Sequence, residues 1–333
     1  EMCHNFLNIV PVWFSKLSIF QHTSPQNLKS ASLIDLPLDV ANQILEKLET
    51  FDLLRCRKVC RGLKNAVDQF GVPFETITTY LYDDSLTLIL DGFKISYTYA
   101  EKSRTTTLVY KDQNKQIKGA ETAFKDMKIV LKKVSKLIIC NWTSGENKTI
   151  IKSFIDFLKP EECFHVKELA FYKFSIDDIT YLLSNFDSQK METIILNGAV
   201  QLDQFEQITL LYQWKCAKNF EIWYSRLDSK FILHFSHFQC FTIYKMFNFS
   251  TETAVEIRDN LMRKSEFQRC RIYFKKLKLN PIEIAKVFKP DYTGGNEFKL
   301  KYSNDNTKFV VQYAEVDSRC SEFFVEKFGR CQL

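Results

Sequence analysis

The sequence predicts an α/β protein with a small all-helical module first, then a short antiparallel β segment, then an irregular strand-helix stack similar to a leucine-rich repeat. Three observations predict this order. Apolar residues recur at helical spacing between residues 33 and 70. Runs of β-branched and aromatic residues, separated by turn residues, fill positions 75–111. From residue 134 onward, short apolar runs recur every 23 to 32 residues, and each leads into a helical pattern.

The helical module begins at Leu36-Pro37, where proline is tolerated because the N–H it lacks has no partner in the first turn. A second helix follows the capping residues 49–52, and the apolar pattern ends at Gly71. A module of about forty residues buries too little surface to be stable alone. Its apolar stripe is therefore a candidate binding face, and a helical hairpin that packs only on its own chain is the alternative.

From Leu36 to Arg61 the chain reads Leu-Pro, then Val-x3-Ile-Leu-x2-Leu, then Asp-Leu-Leu-x4-Val-Cys-Arg. This pattern resembles the F-box, although Leu63 stands where many F-boxes carry an aromatic residue, often Trp. The resemblance implies docking on Skp1 and, through it, membership of a cullin-RING ubiquitin ligase. The expected Skp1-contact residues fit both the motif and the apolar face: Leu36, Pro37, Val40, Ile44, Leu45, Leu48, Leu53, Leu54, Val59, Cys60 and Leu63.

In the β segment, Asp91-Gly92 between two strand-forming runs is a strong hairpin signal. Parallel strands joined by right-handed crossovers are then expected to form a curved stack, with strands on one face and helices on the other. A compact α/β domain is the competing prediction, because the repeats lack a regular Asn-containing consensus. The predicted helices are 149–158, 176–186, 202–214 and 251–262, the second beginning at the capping pattern Ser175-x-x-Asp178. The strand cores align at Leu137, Leu169, Ile194, Phe220, Ile243 and Ile272, in steps of 32, 25, 26, 23 and 29 residues.

The stretches LTLILDGFKISYTYAE, FKDMKIVL, LIICNW and VKELAFYKFSIDDITYLLSNF follow the F-box-like module in this order. Together they resemble the nematode F-box A proteins, in which an F-box precedes an FTH domain. The resemblance implies a domain that recognises a target or partner and has no enzymatic activity. The expected segments are an N-terminal extension (1–30), the F-box (31–73), the antiparallel β segment (74–123), the FTH-like repeat domain (124–290) and a C-terminal strand and helix extension (291–333).

The composition, 45% hydrophobic and 26% charged, is that of an ordinary globular protein. A net charge of +6 is only mildly basic, so a solvated surface explains the lysine-rich stretches better than nucleic-acid binding does. No run reaches the roughly 20 apolar residues of a membrane-spanning helix, and residues 6–14 lack the basic start of a secretory signal. We therefore expect a cytoplasmic or nuclear protein without a membrane partner.

The ten cysteines show no Cys-x2-Cys spacing, which indicates reduced, mostly buried thiols and not a disulfide framework or zinc site. His234, His237 and Cys240 are the densest group of metal-ligand residue types, but they lie among apolar residues and lack a fourth ligand. Cys163 and His165 have no third group to orient a base. We expect no catalytic residue, no metal and no cofactor.

These features favour a non-catalytic adaptor that binds a Skp1-like protein through the helical module and an unknown target protein through the strand-helix stack. A scaffold or translational regulator that recruits no ligase is the alternative, and an enzyme is the third possibility. In a curved stack, the strand face and the loops after the strands form the continuous surface, and aromatic and Arg side chains supply most hot spots. Tyr172 and Trp223 are equally compatible with a core position. The expected target-binding residues are Tyr172, Lys173, Asn197, Trp223, Tyr224 and Arg226.

Overall fold

The computed structural model of this 333-residue chain describes residues 38–57, 59–100, 105–110, 113–118, 127, 128, 130–144, 149–158, 164–198, 204–275, 279–304, 307–317 and 319–328. The chain divides into two compact units, residues 1–70 and 71–333. The first unit is helical and the second contains a fifteen-stranded sheet. This order of a helical module and a strand-rich α/β region is the fold class that the sequence predicts. In the ranges just given, no helix is long and apolar enough to cross a membrane.

The helical unit contains three short helices in its described part: α1 (Leu38–Leu45), α2 (Thr50–Cys56) and α3 (Arg61–Phe70). Both α1 and α2 pack against α3. Leu45, Leu53 and Val67, one from each helix, are fully buried. The Arg57 guanidinium donates to the Asp68 carboxylate at 2.5 Å, which joins the end of α2 to α3. The helices thus form where the spacing of apolar residues predicts them.

The sheet unit begins with an antiparallel meander: β1 (Phe74–Leu81), β2 (Ser85–Leu90), β3 (Phe93–Ala100), β4 (Thr105–Tyr110) and β5 (Gln113–Lys118). Asp91 and Gly92 form the predicted turn between β2 and β3, with φ of +46° and +89°. Asp and Gly suit this turn because they tolerate the left-handed region. The Asp91 carboxylate also accepts the backbone N–H of Thr76 at 2.7 Å, which ties the turn to β1.

Seven parallel strands form the middle of the sheet, in the order β1, β6, β7, β8, β9, β11, β12. Their bounds are β6 (Val134–Asn141), β7 (Val166–Tyr172), β8 (Thr193–Asn197), β9 (Asn219–Trp223), β11 (Cys240–Phe247) and β12 (Arg269–Lys275), and the short β10 (Leu227–Asp228) pairs with β11. The helical connections are α4 (Thr149–Leu158), α5 (Ile176–Leu183), α6 (Glu206–Thr209), α7 (Tyr212–Cys216), α8 (Thr251–Glu256) and α9 (Pro281–Phe288), with 3-10 turns at Leu131–Lys133 and Ser229–Phe235 and a π turn at Ile257–Leu261.

A second antiparallel meander ends the sheet: β13 (Phe298–Asn304), β14 (Thr307–Glu315) and β15 (Cys320–Lys327), with β15 paired to β12. The strands of the predicted β segment, repeat domain and C-terminal extension therefore share one sheet. The predicted boundaries at residues 123 and 290 divide this sheet, and as limits of independently folding domains they stay predictions.

The predicted alignment of strand cores matches the register of the sheet at four of its five steps. The matching pairs are Leu137–Leu169, Leu169–Ile194, Ile194–Phe220 and Ile243–Ile272. The remaining step is wrong by two residues, since Phe220 pairs with Phe241 and Ile222 with Ile243. A shift of two leaves every side chain on the same face. The predicted core face is therefore right even where the predicted partner is wrong.

One predicted helix, 202–214, is wrong in its extent. The structure has two short helices there, α6 and α7, because Leu211 between them is extended, with ψ of 145°. The helix predicted at 176–186 ends earlier, at Leu183, and its predicted start is confirmed: the Ser175 hydroxyl accepts the backbone N–H of Asp178 at 3.2 Å.

The two faces of the sheet differ in what covers them, because alternate residues of a strand point to opposite faces. On the helix-covered face, strand residues such as Leu169 and Phe220 are fully buried. Phe220 packs there against Phe205 and Trp214 of the α6 and α7 region, with ring centroids 6.3 and 4.9 Å away. On the opposite face, which we call the open face, the outward side chains of β7, β8 and β9 are mostly half-exposed.

Candidate interaction surface

One row of side chains crosses the open face near the C-terminal ends of the parallel strands. In the register of the sheet, Tyr80 pairs with Cys140, Cys140 with Tyr172, and Tyr172 with Asn197. Asn197 in turn pairs with Trp223. Strand residues that pair in this way lie side by side on one face, so five strands contribute neighbouring side chains to a single line.

Ring stacking extends this line across β11 and β12. The Trp223 ring stacks on Tyr244, with centroids 3.3 Å apart and planes at 20°, and Tyr244 stacks on Tyr273 at 5.2 Å and 12°. We call Tyr80, Tyr172, Trp223, Tyr244 and Tyr273 the aromatic row, and all five side chains are half-buried. Such rings offer a large apolar face at a low cost in side-chain entropy, as binding anchors do.

Charged groups lie beside the stacked rings. The Trp223 indole N–H donates to the Glu221 carboxylate at 3.0 Å. On β12, Arg271 Nε lies 2.9 Å from Glu322 Oε1. Burial, and next the nearby Glu221 carboxylate, raise the pKa of Tyr244 to about 12, while Arg271 opposes the shift. Tyr244 therefore keeps its hydroxyl proton far above neutral pH and can donate a hydrogen bond.

Exposed side chains lie at the C-terminal ends of five of six neighbouring parallel strands, and Gly198 follows the sixth. Tyr82, Trp142, Tyr224 and Phe247 are exposed by 38%, 47%, 79% and 47%. Such a series of large exposed apolar side chains marks an interaction surface more often than a bare solvent surface. We define the C-terminal rim as Tyr82, Trp142, Lys173, Gly198, Tyr224 and Phe247.

Three consecutive positions of the rim have a left-handed backbone. Lys173, Gly198 and Tyr224 directly follow β7, β8 and β9, with φ of +60°, +63° and +53°. Glycine adopts this conformation freely, but for Lys and Tyr it costs about 1 kcal/mol or more each. The adjacent backbones remain hydrogen-bonded: the N–H of Lys173 donates to the Asn197 carbonyl at 2.8 Å and that of Gly198 to the Trp223 carbonyl at 2.9 Å. Backbone strain at Lys173 and Tyr224, at the same level of two strands, is typical of a functional edge.

Asn141 hydrogen-bonds to one residue of the rim, Lys173, and to Thr143, which follows Trp142 of the rim. Its Nδ2 donates to the Lys173 carbonyl at 3.0 Å, and its Oδ1 accepts the backbone N–H and the hydroxyl of Thr143 at 3.1 and 2.8 Å. The Lys173 ammonium lies 3.5 Å from the centroid of the Trp142 ring. A cation over an exposed indole is worth roughly 0.5–1 kcal/mol. The rim thus presents an ordered pair of cation and aromatic ring.

The structure places the six predicted target-binding residues together, at the ends of three consecutive strands and just beyond. Neither Tyr172 nor Trp223 is a core residue, because both are half-exposed. Lys173, Tyr224 and Arg226 are exposed. Target binding by these residues stays a prediction. The six, in chain order, are Tyr172, Lys173, Asn197, Trp223, Tyr224 and Arg226.

Sequence reasoning missed Tyr80, Trp142, Gly198, Tyr244 and Tyr273. The sequence did contain a signal for the aromatic row. In each strand, the row residue lies three positions after the core residue that pairs across the sheet, as Tyr172 does after Leu169 and Trp223 after Phe220. The predicted register was wrong by two residues between β9 and β11, so Tyr244 and Tyr273 did not align with the other members of the row. The left-handed turns of the rim have no comparable sequence signal, because Lys and Tyr residues rarely adopt the conformation that Lys173 and Tyr224 have here.

The predicted Skp1-contact residues differ in exposure. Val40 and Val59 are exposed by 40% and 60%, and Cys60 is also exposed. Leu45 and Leu53 are fully buried among the helices of this chain, and their direct contact with Skp1 stays a prediction. Leu36 and Pro37 lie outside the described residues. The half-buried members of the predicted set are Ile44, Leu48, Leu54 and Leu63.

The His and Cys residues that the sequence singled out do not gather around a common point. His237 Nε2 lies 2.8 Å from the Trp214 carbonyl, and the ring packs on Phe238 with centroids 4.0 Å apart. Burial lowers the pKa of His237, which favours the neutral ring. Within the described ranges, no cluster of three or more His, Cys, Asp or Glu could hold a metal ion. Cys163 lies outside those ranges.

The cysteines are less buried than the sequence suggested. Of the seven whose surroundings are described, Cys140 and Cys270 are buried, whereas Cys60 and Cys216 are exposed. Burial raises the pKa of the Cys140 thiol to about 11, which suppresses its thiolate at neutral pH.

Comparison with known proteins gives two family matches, an F-box domain over residues 33–74 and an FTH domain over residues 148–291. The first match contains α1 to α3, and the second contains the rim residues from Lys173 to Phe247. F-box A protein 224 of Caenorhabditis elegans is 22% identical over 335 residues, an alignment that covers 92% of this chain and 84% of that protein. An F-box, a following FTH domain and this similarity over most of the chain are the arrangement of the nematode F-box A family, and they support the resemblance seen in the sequence.

Proposed function

We propose that this protein is the substrate-recognition adaptor of a Skp1-cullin-F-box (SCF) ubiquitin ligase. In general, an F-box implies docking on Skp1 within such a ligase, and F-box proteins are typically non-catalytic and intracellular. The observation that carries the proposal is the F-box match at residues 33–74, on helices that expose Val40 and Val59. In this proposal the protein acts in the cytoplasm or nucleus, and other subunits perform the ubiquitin transfer.

Apolar exposure in the helical unit supports the Skp1 contact. Val59 is exposed by 60% although it belongs to a unit too small for a large core. Covering such side chains contributes about 25 cal/mol for each Å² of apolar surface removed from water. Leu45 and Leu53 also contribute, since their burial fixes the helices that carry the exposed residues.

The aromatic row and the C-terminal rim are the surface that we propose for the target protein. Trp223, Tyr224 and Trp142 combine large apolar area with exposure, and Arg226 adds a planar cation beside them. Aromatic and Arg side chains of this kind dominate the energetics of protein interfaces. The buried rings on the other face of the sheet have no access to a partner.

The proposal is tested by placing charge on the exposed apolar residues of the F-box. We expect Val40→Asp combined with Val59→Asp to weaken co-purification of a Skp1-like protein about thirtyfold, because buried anchors at interfaces are commonly worth about 2 kcal/mol or more. Leu36→Ala combined with Pro37→Ala should act in the same direction. The matched control is Val316→Asp, since Val316 is exposed by 54% but lies between β14 and β15.

The measurement is affinity purification of the full chain co-expressed with a Skp1-like protein and a cullin. Undiminished Skp1 recovery with the charged double variant contradicts the adaptor proposal. Recovery of Skp1 without a cullin, and without ubiquitylation of captured proteins, supports the scaffold or translational regulator instead.

A further inference from the structure

The C-terminal rim has free positive charge at its centre. Within the described part of the chain, neither Lys173 nor Arg226 forms an ion pair. The Lys173 ammonium lies over the Trp142 ring, 3.5 Å from its centroid. Both cations are exposed and flank Tyr224 and Gly198. Both cations are therefore available to anionic groups of a ligand.

Among the described residues, the acidic side chains near the rim include Asp83 and Asp228 at its two ends and Asp177 and Asp178 in the first turn of α5, just after Lys173. Asp83, at the end formed by β1 and β2, accepts the backbone N–H of Ser144 at 3.1 Å. Asp228, beside the end of β11, accepts the backbone N–H of Lys230 at 2.9 Å and the Asn248 amide at 3.2 Å. Asp178 accepts the Ser175 hydroxyl at 2.6 Å, so this carboxylate, like those of Asp83 and Asp228, is already engaged in a hydrogen bond.

Gly198 creates a notch between the side chains of the rim. It lies between Lys173, which follows β7, and Tyr224, which follows β9, and it has no side chain of its own. Among the described residues other than its chain neighbours, the nearest atom to a Cβ built on Gly198 is Lys173 Cγ at 3.7 Å, so a carbon atom fits there. A ligand side chain in this notch would contact the Gly198 backbone and the neighbouring Tyr224 ring.

The length of the rim sets the length of its ligand. The strands that end there are β1, β6, β7, β8, β9 and β11, which are direct neighbours in the sheet. At about 4.8 Å between neighbouring strands, the five steps span about 24 Å, which an extended chain covers with about seven residues.

We propose that the C-terminal rim binds an extended, acidic segment of the target protein, about seven residues long by the strand spacing. Its central carboxylates pair with Lys173 and Arg226, and one aliphatic or aromatic side chain enters the notch at Gly198. This inference rests on the proposed function, because it names the chemistry of the target. Single-stranded nucleic acid also binds aromatic rings and cations, but a uniform polyanion along the rim would be repelled by Asp83 and Asp228.

The test is selection of peptides from a random displayed library on the full chain in complex with its Skp1-like partner. We expect the selected peptides to be enriched in Asp and Glu at central positions and to carry one apolar side chain. Binding of a fluorescent copy of a selected peptide should weaken about tenfold or more in Lys173→Glu combined with Arg226→Glu, since two charge pairs become repulsive. Tyr224→Ala should weaken it as well.

The matched control uses another exposed pair of lysine and tyrosine. Lys215 lies over the Tyr212 ring at 5.8 Å, and Tyr212 is exposed by 75%, close to the 79% of Tyr224. Lys215→Glu and Tyr212→Ala change charge and aromatic area away from the rim, on α7, and should leave peptide binding unchanged. Selection on the Lys173→Glu, Arg226→Glu variant should instead enrich basic peptides.

Several outcomes overturn the proposal: no selected peptides, no acidic enrichment, or equal binding by the rim and control variants. Binding of a labelled oligouridine that the rim charge reversals abolish, with no binding of acidic peptides, would assign the rim to nucleic acid. Skp1 recovery is measured on the same variants. If Skp1 is recovered normally but peptide selection fails, the rim proposal alone is rejected. If the Val40→Asp, Val59→Asp variant recovers Skp1 as well as the unchanged chain does, the adaptor proposal is rejected.

Discussion

The helix-covered face and the open face of the sheet are both aromatic, yet they differ in how the rings meet. On the helix-covered face, Trp214 is 1% exposed and has the rings of Phe220 and Phe238 at 4.9 Å, both edge-to-face. On the open face, Trp223 stacks flat on Tyr244 and stays half-exposed. A three-dimensional cluster removes rings from water completely, whereas a single row leaves one side accessible. The same residue types therefore stabilise the fold on one face and remain available to a partner on the other.

The sharpest test of this comparison is to truncate one tryptophan on each face. Trp214→Ala should lower the free energy of unfolding by about 3–5 kcal/mol, because it leaves a cavity in a closed core. Trp223→Ala should cost about 1 kcal/mol, the worth of ring stacking at a half-exposed site. Urea denaturation followed by circular dichroism measures both values. Similar losses for the two variants would show that the open face is as important to stability as the core.

The second test changes the notch of the rim at Gly198. Gly198→Val should lower the free energy of unfolding by about 1–3 kcal/mol, since a β-branched residue is strained at the observed φ of +63°. Gly198→Asn should cost less than about 1 kcal/mol, because Asn tolerates the left-handed region. Both variants place a side chain in the notch, so both should weaken binding of the selected acidic peptide. Peptide binding that survives in the stable Asn variant would show that the notch is not used.

The smallest expected effect concerns pH on the open face. The pKa of Tyr244 is about 12 in the folded protein against 10.0 for the free side chain. Its contribution to stability is therefore complete below pH 10 and is lost as pH rises from 10 to 12, because the unfolded chain releases the proton first. Tyr244→Phe should show a shallower fall in the free energy of unfolding over this window. Solvent screening at a partly exposed ring keeps the effect small.

Urea midpoints across that pH window measure the difference between Tyr244→Phe and the unchanged chain. Tyr212→Phe is the control, because Tyr212 is exposed by 75% and should alter nothing. Parallel curves for Tyr244→Phe and the unchanged chain would show that Tyr244 titrates normally.

Much of the sheet was predictable from local patterns. The strand cores at Leu137, Leu169 and Ile194 pair with one another as aligned, and the Asp91-Gly92 turn lies where its residues predict it. These predictions succeed because burial of one face and the left-handed tolerance of turn residues are properties of a short segment. The predicted target-binding residues lie close together for the same reason, since Tyr172, Asn197 and Trp223 end neighbouring strands, and target binding by them stays a prediction.

By itself, the sequence determined the helical module, the turn at Asp91-Gly92, and which face of six parallel strands is buried. Only the tertiary structure decided the rest: that Leu45 and Leu53 are interior, and that Trp223 and Tyr244 stack. The physical reason is that burial and ring contact depend on residues brought together from distant segments, and a register error of two changes the neighbours of a ring without changing its face. The spacing of apolar residues along a strand shows which face is buried, whereas the residue that a side chain contacts on the next strand depends on the assembled sheet.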